Sequence, residues 1–384
     1  MKEIRIGLIG TGLIAHTHAQ EYQKLPCVKI VAACDLIPSK LEAFCKKYDI
    51  ENSYTDYREM LLRDDLDAVD ICVHNNLHAP LTMKVLESGR HCYCEKPMAG
   101  SYADAKAMLD AAQRAGLQLH IQLAFLYSPQ SHAAAKFIHD GHLGKIYHTR
   151  SYGYRRRGRP FVDGYGEKEF DSLYWAAGGA LYDMGVYHIS LLLYLLGNPE
   201  VQRVSGQVYQ EMDMDECRRK ESGFNVEELG CGFVKFKGGL SMDILESWSI
   251  HARPFPPLVI AGSAGGLSIW PGGRQDGSTL EYYSEKSGYP MSSSVDVDAE
   301  QYRTRQAHPE LRVYDASQSH WIAALRGEAD WPRTAEIALN TMLISEGIYK
   351  SSILGREVTA EEIISNSVSS AIVRQETEFG VLEY

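Results

Sequence analysis

The chain has 384 residues and a formal net charge of −11, from 39 basic and 50 acidic side chains. That length favours two domains, and a hydrophobic content of 45% supplies each with a core. The negative charge argues against a nucleic-acid partner, whose phosphates attract clustered Lys and Arg, and no apolar run approaches the roughly 18 residues of a membrane span.

Residues 1–124 alternate short apolar runs with helical patterns. The apolar runs are Ile4–Ile9, Val28–Cys34, Ala68–Val73, His91–Glu95 and Leu117–Leu123. Helical patterns follow the first run as far as about Lys24 and then cover Pro38–Tyr48, Ala79–Ser88 and Tyr102–Ala115. This alternation predicts β-α-β units with a parallel sheet. We therefore expect an α/β domain with a parallel sheet over residues 1–124, and the glycine-rich turn after its first strand makes it a candidate Rossmann dinucleotide-binding domain.

Residues 125–384 have a different pattern. Helical periodicity covers Pro129–His139, Tyr182–Leu196, Ser317–Arg326 and Thr334–Ser351. Between Val201 and Tyr283, glycine pairs at 238–239, 265–266 and 272–273 separate several strands, of which Gly223–Lys237 and Leu240–Trp248 are expected to pair antiparallel. The polar stretch Asp276–Gln306 is interpreted as a long loop. We expect an α+β domain with a large, mostly antiparallel, open-faced sheet, whose final helices are free to pack back on the first domain.

A glycine-rich turn follows the first strand. Gly10, Gly12 and Ala15 form G-x-G-x-x-A, in which the first glycine permits a tight turn, the second lets backbone approach a pyrophosphate, and the alanine allows close helix–strand packing. Asp35 ends the second strand, where a carboxylate accepts from a ribose hydroxyl and repels the 2′-phosphate of NADP. A simple tight turn and a helix-capping Asp35 are the alternatives. Together the two features favour NAD.

A lysine lies at the carboxyl end of the fourth strand, in the segment Cys92–Pro97. Ligands bind at this edge of an open parallel sheet, and Pro97 restricts Lys96 to an extended conformation that aims its side chain. The alternative is an ordinary surface lysine.

A second polar segment is Gly178–His188, where two glycines lead into a helical pattern. Asp183 and Tyr187 are four residues apart and share one face of a regular helix, whereas His188 points away from Asp183. The alternative is a helix start with a buried Tyr and His.

These motifs together resemble those of the Gfo/Idh/MocA family, named after glucose–fructose oxidoreductase, inositol dehydrogenase and a rhizopine-catabolism protein. Four motifs occur in the family's order along nearly the whole chain. They are Gly10–Ala15, Asn75-Asn76-Leu77-His78, Glu95-Lys96-Pro97 and Gly178-Gly179 through His188.

The resemblance implies roles for individual residues. The implied NAD site consists of Gly10, Thr11, Gly12, Leu13, Ile14, Asp35, Asn75, His78, Glu95 and Lys96. Lys96 is implied to contact the reacting oxygen, with Asp183 binding substrate nearby. Many members carry His four residues after that Asp as proton carrier, but here the position is Tyr187 and the His is displaced to 188. Tyr187 is favoured if the helix is already regular there, although an imidazole has the better intrinsic pKa, so both stay candidates.

We therefore predict an NAD-dependent oxidoreductase that transfers a hydride between nicotinamide and a hydroxyl-bearing carbon of a sugar, glycoside or cyclic polyol. One alternative is a glycoside hydrolase or lyase that oxidises the sugar transiently. A less favoured one is a non-catalytic NAD-binding regulator, which would need neither Lys96 nor a polar residue at position 187. No His/Asp/Glu grouping has clear metal-ligand spacing, so no metal is expected.

Arg156, Tyr165 and Trp175 are further candidates for substrate contacts. Aromatic rings pack against the C–H faces of sugars, and arginines donate to hydroxyls or carboxylates. A solvated surface loop explains the same composition.

Eight cysteines without a C-x-x-C pair, and a start without the long apolar region of a signal peptide, predict a cytoplasmic protein. The resemblance also implies a homo-oligomer, a dimer or tetramer.

Overall fold

The computed structural model describes residues 3–252, 258–271, 279–298, 302–303, 306, 316–331, 333–377 and 380–384. The chain forms two compact units. The first comprises Met1–Gln122, Glu310–Glu336 and Val368–Tyr384, and the second comprises Leu123–Pro309 and Ile337–Ser367. Segments from the end of the chain thus belong to the first unit, in addition to its N-terminal part. The predicted turn at Gly272-Gly273 lies outside the described residues.

The first unit is built on a six-stranded parallel sheet with the order β3-β2-β1-β4-β5-β6. Its strands are β1 (Ile4–Ile9), β2 (Val28–Cys34), β3 (Asn52–Tyr54), β4 (Ala68–Ile71), β5 (His91–Cys94) and β6 (Leu119–Ile121). Chain order reverses between β1 and β4, which is the switch point where such sheets bind ligands. The predicted Rossmann fold is confirmed.

Five helices connect these strands: α1 (Leu13–Gln23), α2 (Pro38–Tyr48), α3 (Tyr57–Leu61), α4 (Asn75–Glu87) and α5 (Tyr102–Ala115). The sequence prediction missed β3 and α3, which are too short to show a period. It also began α4 at about Ala79, whereas the helix starts four residues earlier, at Asn75, and includes Pro80.

The C-terminal segments complete the first unit. Trp321, in the helix Ser317–Leu325, packs with its ring centroid 4.9 Å from that of Tyr93. The last residues form a hairpin, Arg374–Thr377 with Gly380–Glu383. Just before it, the backbone N–H of Ile372 donates to the carbonyl of Asn76 at 2.9 Å.

The second unit contains a nine-stranded sheet with the order β14-β13-β12-β11-β7-β10-β9-β8-β15. The strands are β7 (Ile146–Tyr154), β8 (Val201–Tyr209), β9 (Leu229–Phe236), β10 (Ser241–Ser247), β11 (Leu258–Gly262), β12 (Gly266–Ile269), β13 (Leu280–Lys286), β14 (Tyr289–Ser294) and β15 (Val358–Thr359). Only the central pair β7–β10 is parallel among these strands, so the predicted mostly antiparallel sheet is confirmed.

One face of this sheet is covered and the other is open. Val204, Val234 and Ile244 are buried on the covered face, whereas Phe233 on the opposite face is exposed. The helical segments of this unit include Ala124–Tyr127, α6 (Pro129–His139), Lys168–Asp171, α7 (Leu173–Ala176), the π turn Leu181–Gly185, α8 (Val186–Leu195), α9 (Glu216–Ser222), Ala360–Ser365, and the helix Thr334–Leu354, which belongs to this unit from Ile337.

The interpretation of Asp276–Gln306 as a long loop is wrong. Within its described part, β13 and β14 form a hairpin around Ser287 and Gly288, whose φ values are 55° and 80°. Every residue of β14 is exposed, so this edge strand lacks the apolar alternation that marks a half-buried strand.

The strand β7 was also missed. Its inward-facing residues are Thr149, Ser151 and Gly153, all buried but none of them a large apolar residue. A strand whose buried side is small and polar gives no hydrophobic period to read.

Candidate active site

The glycine-rich turn after β1 binds the carboxylate of Asp35 through Thr11. Gly10 has a φ of 91°, and a Cβ there would lie 2.2 Å from the carbonyl oxygen of Cys72, so only glycine fits. Thr11 donates to Oδ2 of Asp35 from its backbone N–H (2.7 Å) and its hydroxyl (2.8 Å). The N–H of Ile37 donates to Oδ1 at 2.9 Å. The carboxylate predicted to select NAD is therefore fixed at the glycine turn.

The N-terminus of α1 is open beside this turn. The N-cap residue is Gly12, so no side chain at this position accepts a helical N–H, and a Cβ there would meet nothing within 4 Å. Leu13 and Ile14 are 83% and 39% exposed. Asn75 is buried at the start of α4, after the neighbouring strand β4. Unsatisfied helical N–H groups with exposed apolar side chains at the carboxyl edge fit a dinucleotide and its pyrophosphate.

Glu95 belongs to a buried ionic network. Its Oε1 lies 2.8 Å from Nε2 of His18, and Nδ1 of His18 lies 2.8 Å from Oδ2 of Asp70. The hydroxyl of Tyr22 donates to the same Asp70 oxygen. Because both ring nitrogens face carboxylate oxygens, the imidazole must carry both protons. Burial opposes this charge, but the contacts with Asp70 and Cys72 together outweigh burial and raise the pKa of His18 well above its usual value.

The same network holds the Glu95-Lys96-Pro97 segment. Oε2 of Glu95 accepts the backbone N–H of Lys96 at 2.9 Å, and the Lys96–Pro97 peptide bond is cis. His78 is buried with Nδ1 at 2.7 Å from the carbonyl of Pro97 and Nε2 at 3.1 Å from that of Val73. Burial lowers the pKa of His78, which favours the neutral ring. Because a neutral ring has a single N–H, it donates only one of these two hydrogen bonds, and His78 lies between the end of β4 and the segment that carries Lys96.

Three groups in this network are close enough to bind a metal ion. Ligand atoms of His18, Asp70 and Cys72 lie within 4.8 Å of one another. However, both ring nitrogens of His18 already face carboxylates, and burial raises the pKa of Cys72 to about 12, which keeps the thiol protonated. We assign the cluster to hydrogen bonding.

In the second unit, the predicted glycine pair is shaped around a buried carboxylate. A Cβ at Gly179 would lie 1.9 Å from the carbonyl oxygen of Glu227. The Glu227 side chain accepts the backbone N–H groups of Gly179 (2.8 Å) and Leu181 (2.9 Å). Burial raises the pKa of this carboxyl. Glu227 thereby satisfies the N–H groups at the start of the helical segment.

That segment does not begin as a regular helix. Leu181–Gly185 is a π turn, and α8 starts at Val186. The preference for Tyr187 over His188 depended on regular periodicity from Asp183 onward, and that condition fails because a π turn takes up more residues than an α turn. Spacing therefore no longer decides between Tyr187 and His188.

Asp183 is anchored at the end of β10. Its Oδ2 accepts the indole N–H of buried Trp248 at 2.9 Å, and Nη2 of Arg155 lies 3.9 Å from the same oxygen. The ring of Tyr187 packs with its centroid 5.1 Å from that of Phe125.

His188 is anchored on the same strand. Its Nδ1 lies 3.0 Å from Oε2 of Glu246, which is fully buried. Glu246 and Trp248 are two residues apart along the strand direction, so they point to the same side. The structure therefore brings Asp183 and His188 to one side of the sheet, each held by its own residue.

The candidate substrate contacts differ in their surroundings. The Tyr165 hydroxyl accepts a hydrogen bond from Arg155, whose guanidinium lies 4.8 Å from the ring centroid. Arg156 is exposed, and the Trp175 ring packs edge-on against Tyr174 at 4.9 Å. These contacts link Tyr165 to Asp183 through Arg155. For Arg156, Tyr165 and Trp175 alike, a substrate contact stays a prediction.

Sequence reasoning missed the residues that hold the candidates in place. They are His18, Asp70, Glu227, Glu246 and Trp248. One signal was available: Met242, Ile244 and Glu246 alternate along β10, so a carboxylate occupies a position where the pattern demands a buried apolar residue.

Comparison with known proteins agrees with the motifs. Residues 4–123 match the family model described as an oxidoreductase family with an NAD-binding Rossmann fold, and residues 131–268 match the GFO/IDH/MocA C-terminal domain. The chain belongs to the Gfo/Idh/MocA family of oxidoreductases, and its first domain is an NAD-binding Rossmann domain.

Curated relatives include several dehydrogenases. The D-glucoside 3-dehydrogenase of Escherichia coli (strain K12) is 28% identical, over 70% of this chain and 77% of that protein. The D-apiose dehydrogenase of Paraburkholderia graminis is 26% identical, over 98% and 96% of the two chains. The inositol 2-dehydrogenase of Salmonella typhimurium is 28% identical, over 39% of this chain and 46% of its own.

Solved structures share the fold. An oxidoreductase domain protein from Kribbella flavida superposes with a TM-score of 0.78 at 21% identity, covering 94% of this chain and 100% of its own. Levoglucosan dehydrogenase in complex with NADH gives 0.77 at 20% identity, covering 94% and 99%. Among the described residues of this chain, no helix has the length and apolarity needed to cross a bilayer.

Proposed function

We propose that the chain is an NAD-dependent dehydrogenase that acts on a hydroxyl-bearing carbon of a sugar, glycoside or cyclic polyol. The observation that carries the proposal is the anchoring of Asp183 by Trp248 and of His188 by Glu246 on one strand, in a chain whose other unit fixes Asp35 at the glycine turn. The names of the relatives, which are dehydrogenases of a glucoside, apiose and inositol, support the substrate class.

The residues present fit these roles. The open N-terminus of α1 and the Asp35 carboxylate would hold NAD, which supplies a hydride acceptor or donor when bound. Lys96 donates a hydrogen bond to the reacting oxygen, and its backbone is held by Glu95. Asp183 accepts from a second substrate hydroxyl. Tyr187 and His188 are the two candidates for the group that exchanges the hydroxyl proton.

The test is a substrate screen with a matched pair of lysine variants. Inositols, hexoses, uronates and glycosides are supplied with NAD⁺, and NADH absorbance is followed. Lys96→Met should reduce kcat by roughly 100-fold or more, because acid–base and polarising contacts contribute on that scale. Lys84→Met removes a surface lysine that pairs with Glu87 and should have no effect. NAD binding should stay similar in all three proteins.

Two results would contradict the proposal. Wild-type turnover in Lys96→Met would remove the lysine from the chemistry. Cleavage of a glycoside without accumulation of NADH would instead favour the hydrolase or lyase.

A further inference from the structure

We propose that Glu246 is a positioning residue for His188, and that Nε2 of His188 receives the proton that leaves the substrate hydroxyl. This inference rests on the proposed function and adds to it a choice between Tyr187 and His188. Glu246 belongs to none of the motifs that carry the family resemblance.

The carboxylate is built to hold the imidazole. Oε2 and Oε1 of Glu246 lie 3.0 and 3.2 Å from Nδ1 of His188, and the hydroxyl of Ser151 donates to Oε1 at 3.0 Å. Glu246 is fully buried, and a buried carboxylate without donors is costly. The pair is therefore stable with the proton on Nδ1, which is the arrangement in which a carboxylate fixes the tautomer of a functional histidine.

The backbone around the pair lacks the side chains that would displace it. A Cβ at Gly153 on β7 would lie 2.2 Å from Oε2 of Glu246 and 2.3 Å from Cε1 of His188. A Cβ at Gly185 would lie 3.1 Å from Cγ of Glu246. Two glycines from different elements thus leave the space that the pair fills, which is a second observation independent of the hydrogen bonds.

Nε2 is the ring atom left for chemistry. The His188 side chain is 12% exposed, and no hydrogen bond reaches Nε2 from the part of the chain that the structure describes. The Phe125 ring faces the imidazole at 5.7 Å. Among the described residues, the charged contact recorded for the imidazole is Glu246 from β10, while Asp183 on the π turn lies beside Arg155. With Nδ1 protonated, Nε2 carries a lone pair.

The proton balance is simple. As the C–H bond of the hydroxyl carbon breaks and its hydride passes to the NAD⁺ of the proposed oxidation, the O–H bond also breaks, its electron pair forms the C=O bond, and its proton binds Nε2. Glu246 stabilises the resulting imidazolium, which later releases that proton to water. Reduction uses the same steps in reverse.

The first measurement needs no substrate. Nitrogen NMR of the full chain with ¹⁵N-labelled histidine, with the His188 signals assigned from His188→Gln, should show a protonated Nδ1 and an unprotonated Nε2 above neutral pH. Glu246→Leu or Gly153→Ala should abolish that preference. Asp243→Asn is the matched control, because Asp243 lies on β10 and contacts His148 on the opposite face. A wild-type signal with the proton on Nε2 would overturn the proposal.

The second measurement is the pH dependence of kcat/KM on any substrate found in the screen. Glu246→Gln should lower kcat by about 10–100-fold, the usual effect of losing such a partner, with KM for NAD⁺ nearly unchanged. The acidic limb of the kcat/KM profile of Glu246→Gln should move to lower pH than in the wild type, because a neutral amide stabilises imidazolium less than a carboxylate does. Asp243→Asn should keep the wild-type profile.

A Glu246→Gln profile that superimposes on wild type, or wild-type kcat in His188→Gln, would refute the role of the pair. Either result leaves the dehydrogenase itself intact, because NADH still forms. Failure of the wild type to form NADH with any substrate would instead count against the proposed function. The NMR result would still report which nitrogen of His188 carries the proton.

Discussion

Replacing His18 perturbs the buried network that holds Glu95. In His18→Leu the cation is lost, while Asp70 and Glu95 remain with side-chain exposures of 0% and 7%. Removing one partner of a buried ion pair costs about 3–5 kcal/mol, because the other charge stays buried without compensation. Typical domains are stable by only about 5–15 kcal/mol. We therefore expect the variant to lose a large part of the stability of the first unit.

The effect of pH has a definite sign. The native pKa of His18 is raised above its unfolded value, so the stability that its proton contributes is fully present below the unfolded pKa and is lost as pH rises through the native pKa. The difference between wild type and His18→Leu should accordingly be largest in mildly acidic solution and shrink at alkaline pH.

Urea denaturation followed by circular dichroism measures both quantities. His16→Leu is the matched control, since His16 lies two residues away on α1, is partly exposed, and its ring makes a hydrogen bond of 3.0 Å with the Tyr48 hydroxyl but no ion pair with a carboxylate among the described residues. It should cost about 1 kcal/mol. Equal losses of stability in the two variants, or a His18 effect that grows with pH, would refute the reasoning.

Three more predictions follow from the contacts. Burial raises the pKa of Asp171 from 3.8 to about 7, so between these two pH values the native state holds a proton that the unfolded state has lost. Stability should therefore fall as pH rises across that range. In thermal melts Asp171→Asn should flatten this pH dependence and gain up to about 4 kcal/mol of stability at pH 8. Gly179→Ala should destabilise the second unit by about 1–3 kcal/mol or more in urea titrations, because its Cβ would meet the Glu227 carbonyl at 1.9 Å. Asp35→Asn should weaken NAD⁺ binding by roughly 10-fold in calorimetry and affect NADP⁺ less, since the lost charge also repels the 2′-phosphate; an unchanged preference would contradict this.

Local chemistry was readable from the sequence, and long-range pairing was not. The glycine turn places its functional groups within a few residues of one another, so Gly10, Gly12 and the following helix follow from steric rules alone. By contrast, Glu246 lies 58 residues from His188, and Glu95 lies 77 residues from His18. Nothing in the spacing of such residues reveals that a fold will bring them together.

Two features of the structure could not be predicted from hydrophobic periodicity. The π turn Leu181–Gly185 has no signature in hydrophobic periodicity. The prediction that Asp183 and Tyr187 share a face assumed 3.6 residues per turn, which a π turn exceeds. The hairpin of β13 and β14 was missed because its outer strand is exposed on both sides. In both cases the physical cause of the structure lies in tertiary contacts rather than in local composition.

The discontinuous first unit has a consequence for how the protein is made. During synthesis the glycine turn and its sheet leave the ribosome before Trp321, which packs on Tyr93, and Ile372, which bonds to Asn76. The nucleotide-binding unit is thus begun before the second unit and completed after it. A fragment cut after residue 122 would expose aromatic surface that the full chain covers, so it would aggregate rather than serve as a free-standing domain.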